Sequence, residues 1–195
     1  MHQSNFVFGY GSLVNWDNLQ QYLGRKLTPG LDFVICGLHN FHRCWNIAMD
    51  NRLDLPNYKY YIEEQTGNRF NGFVTFLNIR FDQDKTIIGI LFRVSEPELE
   101  NLDQRERNYQ RIDITHLINR AIQGKAWVYL GLEQAKNRYH EGLQKNCTAI
   151  SQEYFDLVND AYYSLGNCAF SNYLATTDKL EVPTVNLKRC KVGIS

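Results

Sequence analysis

Two stretches of this sequence hold residues that could do chemistry. Near the amino terminus, the apolar run Phe6 to Phe8 breaks into Gly9-Tyr10-Gly11-Ser12-Leu13. Glycines one residue apart allow positive φ and a close backbone approach to a ligand that side chains would prevent. A strand, a glycine turn and a helix start in succession leave backbone N–H groups unpaired, and such a nest binds an anionic or carbonyl oxygen. The alternative is a tight turn with no ligand. Three familiar motifs do not fit. The dinucleotide fingerprint needs glycine where Val14 stands, and the P-loop needs a Gly-Lys-Ser/Thr that is absent. A nucleophile elbow needs glycine two residues after Ser12, which is again Val14. The loop reads as a cradle whose chemistry comes from elsewhere.

The second stretch supplies it. Ser95-Glu96-Pro97-Glu98 is a capping box, with Ser95 as N-cap, Glu98 reaching back and Pro97 tolerated in the first turn. The spacing predicts a helix through Leu99, Leu102 and Glu106 towards Tyr109. In projection Glu106 falls about 20° from Leu99, on the apolar stripe, while Glu100, Gln104 and Arg107 take the outside. Two readings account for a carboxylate there. In one, Glu106 is buried and paired with an arginine, with Arg105, Arg111 and Arg43 as the partners in view. In the other it sits in a cavity and handles protons. Left unpaired and ionised, such a group costs on the order of several kcal/mol.

The elements that must position these residues can be read in part. Asn15 to Tyr22, with Trp16, Leu19 and Leu23 near helical spacing, follows the loop as a helix. Leu27-Thr28-Pro29-Gly30 is a turn, Asp32 to Leu38 a strand, and Phe41 to Met49 either continues it or pairs with it. Asn51 to Phe70 reads as a polar surface excursion, with a lid over a site as the alternative. Gly72 to Ile79 and Thr86 to Val94 are expected as two strands separated by Arg80 to Asp84, buried on both faces as in a small closed sheet. Tyr109 to Leu117 alternates as a half-buried strand, and Lys125 to Leu132 is another. Glu133 to Leu143 is helix or extended loop. A further helix starts at Ser151, with Ile150 stapled to Phe155, and stops at Gly166. A last short helix covers Ala169 to Thr176, and the tail from Glu181 looks irregular.

Composition narrows the class. A chain of 195 residues fits a single domain over residues 1–195, long enough to bury a full core. Lysine plus arginine equals aspartate plus glutamate, 21 against 21, so no net field argues for nucleic acid, membrane or a polyanion. Residues 1–4 show no leader pattern, and no apolar run is long enough for a bilayer. The odd, scattered set of five cysteines fits reduced thiols in a cytoplasmic protein. Cys36, His39, His42 and Cys44 are the best metal candidates. However, on strands His39 points away from Cys36 and His42, and no second Cys-x-x-Cys completes a knuckle, so ordinary strand residues are favoured and no metal is expected.

With Val7-Phe8-Gly9-Tyr10-Gly11-Ser12-Leu13 at the start, Gly89-Ile90-Leu91-Phe92-Arg93-Val94 leading into the helix, and Leu102 to Tyr109 containing Arg105-Glu106-Arg107-Asn108-Tyr109, the chain resembles the γ-glutamylcyclotransferase superfamily. The late helix Ile150 to Tyr163 matches as well. The resemblance implies an α+β fold, a small mixed β-barrel flanked by helices with the ligand at its mouth. It implies that Tyr10, Gly11, Ser12 and Leu13, with Tyr109, bind a small-molecule γ-glutamyl substrate and that Glu106 is the catalytic acid/base. It implies no cofactor. The substrate's α-amine would attack its own γ-carbonyl and close 5-oxoproline. Asn108 stands where the glutathione-specific branch has glycine, and Trp16 lies farther from the loop than that branch's tryptophan. The substrate within the γ-glutamyl class, and the oligomeric state, stay open. A non-catalytic binding module and a γ-glutamyl peptide hydrolase are the rivals.

Overall fold

The structure is a computed structural model that describes residues 4–191. Residues 1–3, part of the stretch read as lacking a leader pattern, lie outside the described residues. In chain order the elements are β1 (Ser4–Gly9), a single 3-10 turn (Ser12–Val14), α1 (Trp16–Leu23), β2 (Phe33–Asp50), β3 (Lys59–Glu63), β4 (Phe73–Val94), α2 (Glu96–Arg105), β5 (Tyr109–Asp113) and β6 (Gly124–Gly131). The second half continues with α3 (Glu133–Gln144), β7 (Thr148–Ser151), α4 (Gln152–Ser164), α5 (Asn167–Ala175), β8 (Thr184–Val185) and β9 (Leu187–Lys191).

The frame is the antiparallel pair β2–β4. Phe41 to Met49 continues the strand that begins at Phe33, so β2 is one strand. The two strands expected on either side of Arg80 to Asp84 are likewise one, β4. The polar separator does not reverse the chain. It bulges outward, because Phe81 pairs with Phe41 and Thr86 with His39, leaving Asn40 alone opposite the intervening residues. Asn40 takes a left-handed φ of 67° at that point.

The amino-terminal part of β4 is buried on both faces from Phe73 to Ile79, as its unbroken apolar run predicts. Its outer edge pairs in parallel with β7, which pairs with β8. The carboxy-terminal part of β4 pairs antiparallel with β1, β1 parallel with β6, and β6 antiparallel with β5. Strand β5 ends at Asp113, short of the expected Leu117, because the chain turns and crosses to β2. There Leu38 bridges Ile118, and the His39 N–H donates to the Leu117 carbonyl at 2.8 Å. That bridge ties the segment after β5 to β2. The result is the expected α+β architecture, a central mixed sheet flanked by helices.

Of the two alternatives for Glu133 to Leu143, helix or extended loop, the segment is helical, and it packs on β2. One expectation needs correction. The tail from Glu181, expected to be irregular, carries a strand as far as it is described: β9 pairs antiparallel with β3, so the 51–70 excursion carries a strand rather than a bare loop, and residues 192–195 of that tail lie outside the described residues. Neither segment could show this alone, because each is a short polar strand whose partner lies more than a hundred residues away.

Buried Asn51 anchors the excursion. Its side-chain N–H₂ donates to the Tyr61 and Phe70 carbonyls at 2.9 and 2.7 Å, and its side-chain oxygen accepts the Tyr61 N–H at 2.7 Å. Asn51→Ala would strand three backbone groups, and we expect a stability loss of about 3 kcal/mol in urea unfolding, with faster amide exchange in β3 and β9. A loss below about 1 kcal/mol would show that the excursion is held by something else.

Candidate functional site

The carboxy-terminal end of β1 delivers the glycine loop to a pocket lined by Tyr10, Gly11, Ser12, Leu13, Glu106 and Tyr109, with Phe8, Leu77, Tyr129 and Tyr154 completing its wall. Tyr10, Gly11, Ser12, Leu13, Glu106 and Tyr109, the residues that the resemblance assigns to the site, therefore border one space. The glycines serve there by close approach and not, as expected, by positive φ, which neither Gly9 nor Gly11 adopts. A Cβ on Gly9 would lie 2.9 Å from the Leu13 Cβ, and one on Gly11 would lie 3.3 Å from the Tyr154 hydroxyl. The turn bonds run from Val14 N–H to the Gly11 carbonyl and from Asn15 N–H to the Ser12 carbonyl. Among the described residues the N–H groups of Ser12 and Leu13 have no acceptor, as the nest reading requires.

Glu106 reaches the pocket by a different route from the one its helical position suggests. Helix α2 is capped as expected, with the Ser95 N–H donating to Glu98 at 2.7 Å, and Leu99 and Leu102 are buried. It ends at Arg105, however, and Glu106 is the C-cap at φ −87°, ψ 47°. The Tyr109 N–H donates to the Glu106 carbonyl at 2.8 Å, closing the turn that sends the chain into β5. The inward position of Glu106 comes from this cap and turn.

Its carboxylate accepts no hydrogen bond among the described residues. Its one close cation is Arg105, at 3.4 Å, and that guanidinium also donates to the Ser12 hydroxyl at 3.4 Å and lies over the Tyr22 ring. The other two arginines in view are engaged elsewhere. Arg111 pairs with Asp103 at 3.2 Å. Arg43 is fully buried beside the stacked rings of Tyr162 and Tyr173, bonded to Thr176 at 2.6 Å and to the Tyr162 hydroxyl at 2.8 Å. The Tyr162 hydroxyl in turn donates to the Tyr10 carbonyl at 2.9 Å, so Arg43 braces the loop from behind.

The tyrosines of the wall are held neutral. Burial, followed by electrostatic coupling to the neighbouring Tyr154 hydroxyl and the Glu106 carboxylate, pushes the Tyr10 hydroxyl well above its ordinary pKa. Tyr109, Tyr129 and Tyr154 are raised as well, burial again being the largest cause. Two of these hydroxyls are spent on backbone carbonyls: Tyr10 on Tyr129 at 2.7 Å, and Tyr109 on Leu77 at 2.8 Å. At Tyr154 the Leu77 backbone pulls in the opposite, lowering direction, and the hydroxyl stands beside Gly11. Leu77 lies where the β2–β4 register slips between Cys44 and Ile47, and that slip frees its carbonyl for Tyr109. Tyr129 and Tyr154 escaped the sequence reading because they look like ordinary strand and amphipathic-helix aromatics.

As it stands the pocket holds only about 30 Å³, enough for a water molecule, and Arg105 spans two of its lining residues. A larger cavity, about 560 Å³, lies at the opposite end of β1, around Arg25, Asp32 and Arg93. Its polar groups already satisfy one another, Arg25 with Asp32 and Glu98 and Arg93 with Ser4, so size does not make it the site.

The metal candidates do not converge. His39 bonds Thr86, His42 bonds Asp178, and burial raises the Cys36 and Cys44 thiols to about 12. Among the described residues no three His, Cys, Asp or Glu side chains form a metal-binding group, and no helix is long and apolar enough to cross a membrane.

No protein-family model matches the chain, and no curated protein does. Solved structures are similar in fold. YkqA from Bacillus subtilis is 13% identical with a TM-score of 0.54, the likeness covering 89% of this chain and 54% of YkqA. An Arabidopsis thaliana protein of known solution structure is 22% identical with a TM-score of 0.43, over 72% of this chain and 69% of that one. A yeast γ-glutamyl cyclotransferase specific to glutathione is 14% identical with a TM-score of 0.41, over 67% of this chain and 69% of its own.

Proposed function

We propose that this chain is a γ-glutamylcyclotransferase-like enzyme that converts a γ-glutamyl amide or peptide to 5-oxoproline and releases the amine. The observation that carries the reading is the meeting, in one pocket, of a carboxylate with no hydrogen bond and a loop with unpaired N–H groups. In this scheme the substrate folds so that its α-amine faces its γ-carbonyl, and the intramolecular attack supplies much of the rate advantage. Glu106 takes a proton from the α-ammonium. The new C–N bond forms at the γ-carbon and the old amide C–N bond breaks; Glu106 passes its proton to the departing nitrogen, and the second proton, lost by the attacking nitrogen as it becomes the lactam N–H, follows the same path so that the amine leaves as its ammonium. The N–H groups of Ser12 and Leu13 hold the substrate carboxylate or the developing oxyanion. Tyr109 walls the γ-glutamyl chain, and Arg105 swings aside to admit it. No step calls on a metal or an organic cofactor.

The Arg105–Glu106 contact favours a second reading, a binding module of the same fold in which Glu106 is structural. Incubation with γ-glutamyl dipeptides, glutathione and γ-glutamyl-lysine separates the two. Release of 5-oxoproline is expected. Release of free glutamate would mean a hydrolase, and no turnover across the panel would leave the binding module.

The Ser12 hydroxyl is peripheral to this scheme, since its recorded bond is the long one from Arg105 at 3.4 Å. Ser12→Ala should therefore lower kcat/KM only about threefold to tenfold. Complete loss, with Ser12 labelled by a covalent serine inhibitor, would point to a nucleophilic serine and against the scheme.

A further inference from the structure

Strand β3 alternates, and Tyr61 marks its inward face, being 3% exposed and packed on Phe76 at 6.3 Å between ring centroids. Lys59 shares that face. Its ammonium lies 4.1 Å from the centre of the Phe76 ring, and Phe76 stands edge-on to Tyr154 at 5.2 Å, so the lysine abuts the outer wall of the pocket.

This cation has no counter-charge of its own. Among the described residues Lys59 forms no ion pair. Directly across the strand pair stands Lys191, and Arg189 stands opposite the neighbouring Tyr61. Like charges facing one another across a strand pair destabilise it. Part of the Lys59 side chain remains exposed, but its ammonium end sits in dense surroundings on the aromatic face. Burial, and next the charge of Arg189, pull its pKa down to about 7; Glu106 is the one carboxylate acting in the opposite sense. A lysine so placed costs the free protein stability that an anion at the pocket mouth would return.

We propose that Lys59 is a specificity residue that receives a carboxylate on the leaving group, so that the site prefers γ-glutamyl amino acids and peptides to γ-glutamyl amines. This rests on the reading of the pocket as a γ-glutamyl site. The glycine loop and Glu106 engage the glutamyl half, and Lys59 lies beyond them, behind Tyr154 and Phe76 and near enough to Glu106 to feel its charge. A simple amine as leaving group would offer this lysine nothing.

A matched pair of ligands tests it: γ-glutamyl-alanine and γ-glutamyl-alaninamide, which differ only in the leaving group's carboxylate. Wild-type kcat/KM for the acid should exceed that for the amide by about tenfold to a hundredfold, the size of a hydrogen-bonded charge contact. Lys59→Met should erase the preference by slowing the acid alone, and Lys59→Arg should restore most of it. Equal kcat/KM for both ligands, or an equal fall for both in Lys59→Met, would overturn the assignment and leave the cyclotransferase reading intact. Affinities measured by calorimetry on the Glu106→Gln protein cover the case without turnover. Tighter binding of the acid, lost in the Lys59→Met double variant, would then uphold the subsite while the cyclotransferase reading fell. Equal or absent binding would remove the subsite.

Discussion

Glu106→Gln is expected to cut 5-oxoproline release by about a hundredfold to ten-thousandfold, the usual share of a positioned acid/base, while leaving stability within about 1 kcal/mol of the parent. Glutamine keeps the shape and the hydrogen-bonding capacity of the side chain but cannot carry the proton. The expectation of preserved stability comes from geometry. The carboxylate accepts no hydrogen bond among the described residues, and its single contact with Arg105 is 3.4 Å long, with side-chain exposures of 27% and 16%. An ion pair so open contributes about 0–1 kcal/mol. A buried, clamped pair would behave differently, and losing one member would cost about 3–5 kcal/mol. Urea unfolding run beside the cyclisation assay distinguishes these. Were the variant to lose several kcal/mol yet turn over normally in its folded fraction, Glu106 would be structural and the catalytic assignment would fall.

Gly11→Val should eliminate ligand binding and with it all turnover. A Cβ at this position already comes within 3.3 Å of the Tyr154 hydroxyl and 3.8 Å of the Leu77 Cβ. The two further methyl groups of valine must occupy the pocket or push its wall apart, and the space at hand is only about 30 Å³. Overpacking of this kind costs about 1–3 kcal/mol, so the protein should fold with a lowered unfolding midpoint. Gly11→Ala is the graded control. Its lone Cβ meets a hydroxyl that can shift by a few tenths of an ångström, and partial activity should remain. Calorimetric titration with γ-glutamyl-alanine reads both. Undiminished affinity in Gly11→Val would place the ligand elsewhere and remove the loop from the site.

The two variants probe features with different origins. The capping box, the buried strand at Phe73 to Ile79 and the amphipathic α4 were all legible because each is specified by neighbours within a few residues. The candidate site was legible as residue types: a glycine loop after a strand, and a carboxylate between two arginines near an apolar stripe. The path by which Glu106 turns inward was not. The helical projection assumes that the helix continues, whereas the C-cap at Glu106 and the turn to Tyr109 are imposed by the pairing of β5 with β6.

Other features were hidden for the same reason. Arg80 to Asp84 has the composition of a turn, yet β2 runs on beside it, so the chain bulges instead of reversing. The 51–70 excursion and the tail look featureless until β3 and β9 meet, and only that meeting sets Lys59 beside the pocket wall. Arg43 looked like a partner for Glu106 and is instead locked among Tyr162, Tyr173 and Thr176. What the sequence by itself determined were the elements written in local pattern and the residue types able to move a proton or cradle an oxygen. Which of them share a space was decided by the tertiary structure, because strand pairing between distant segments, and the cap and register slip it forces, has no local signature in the chain.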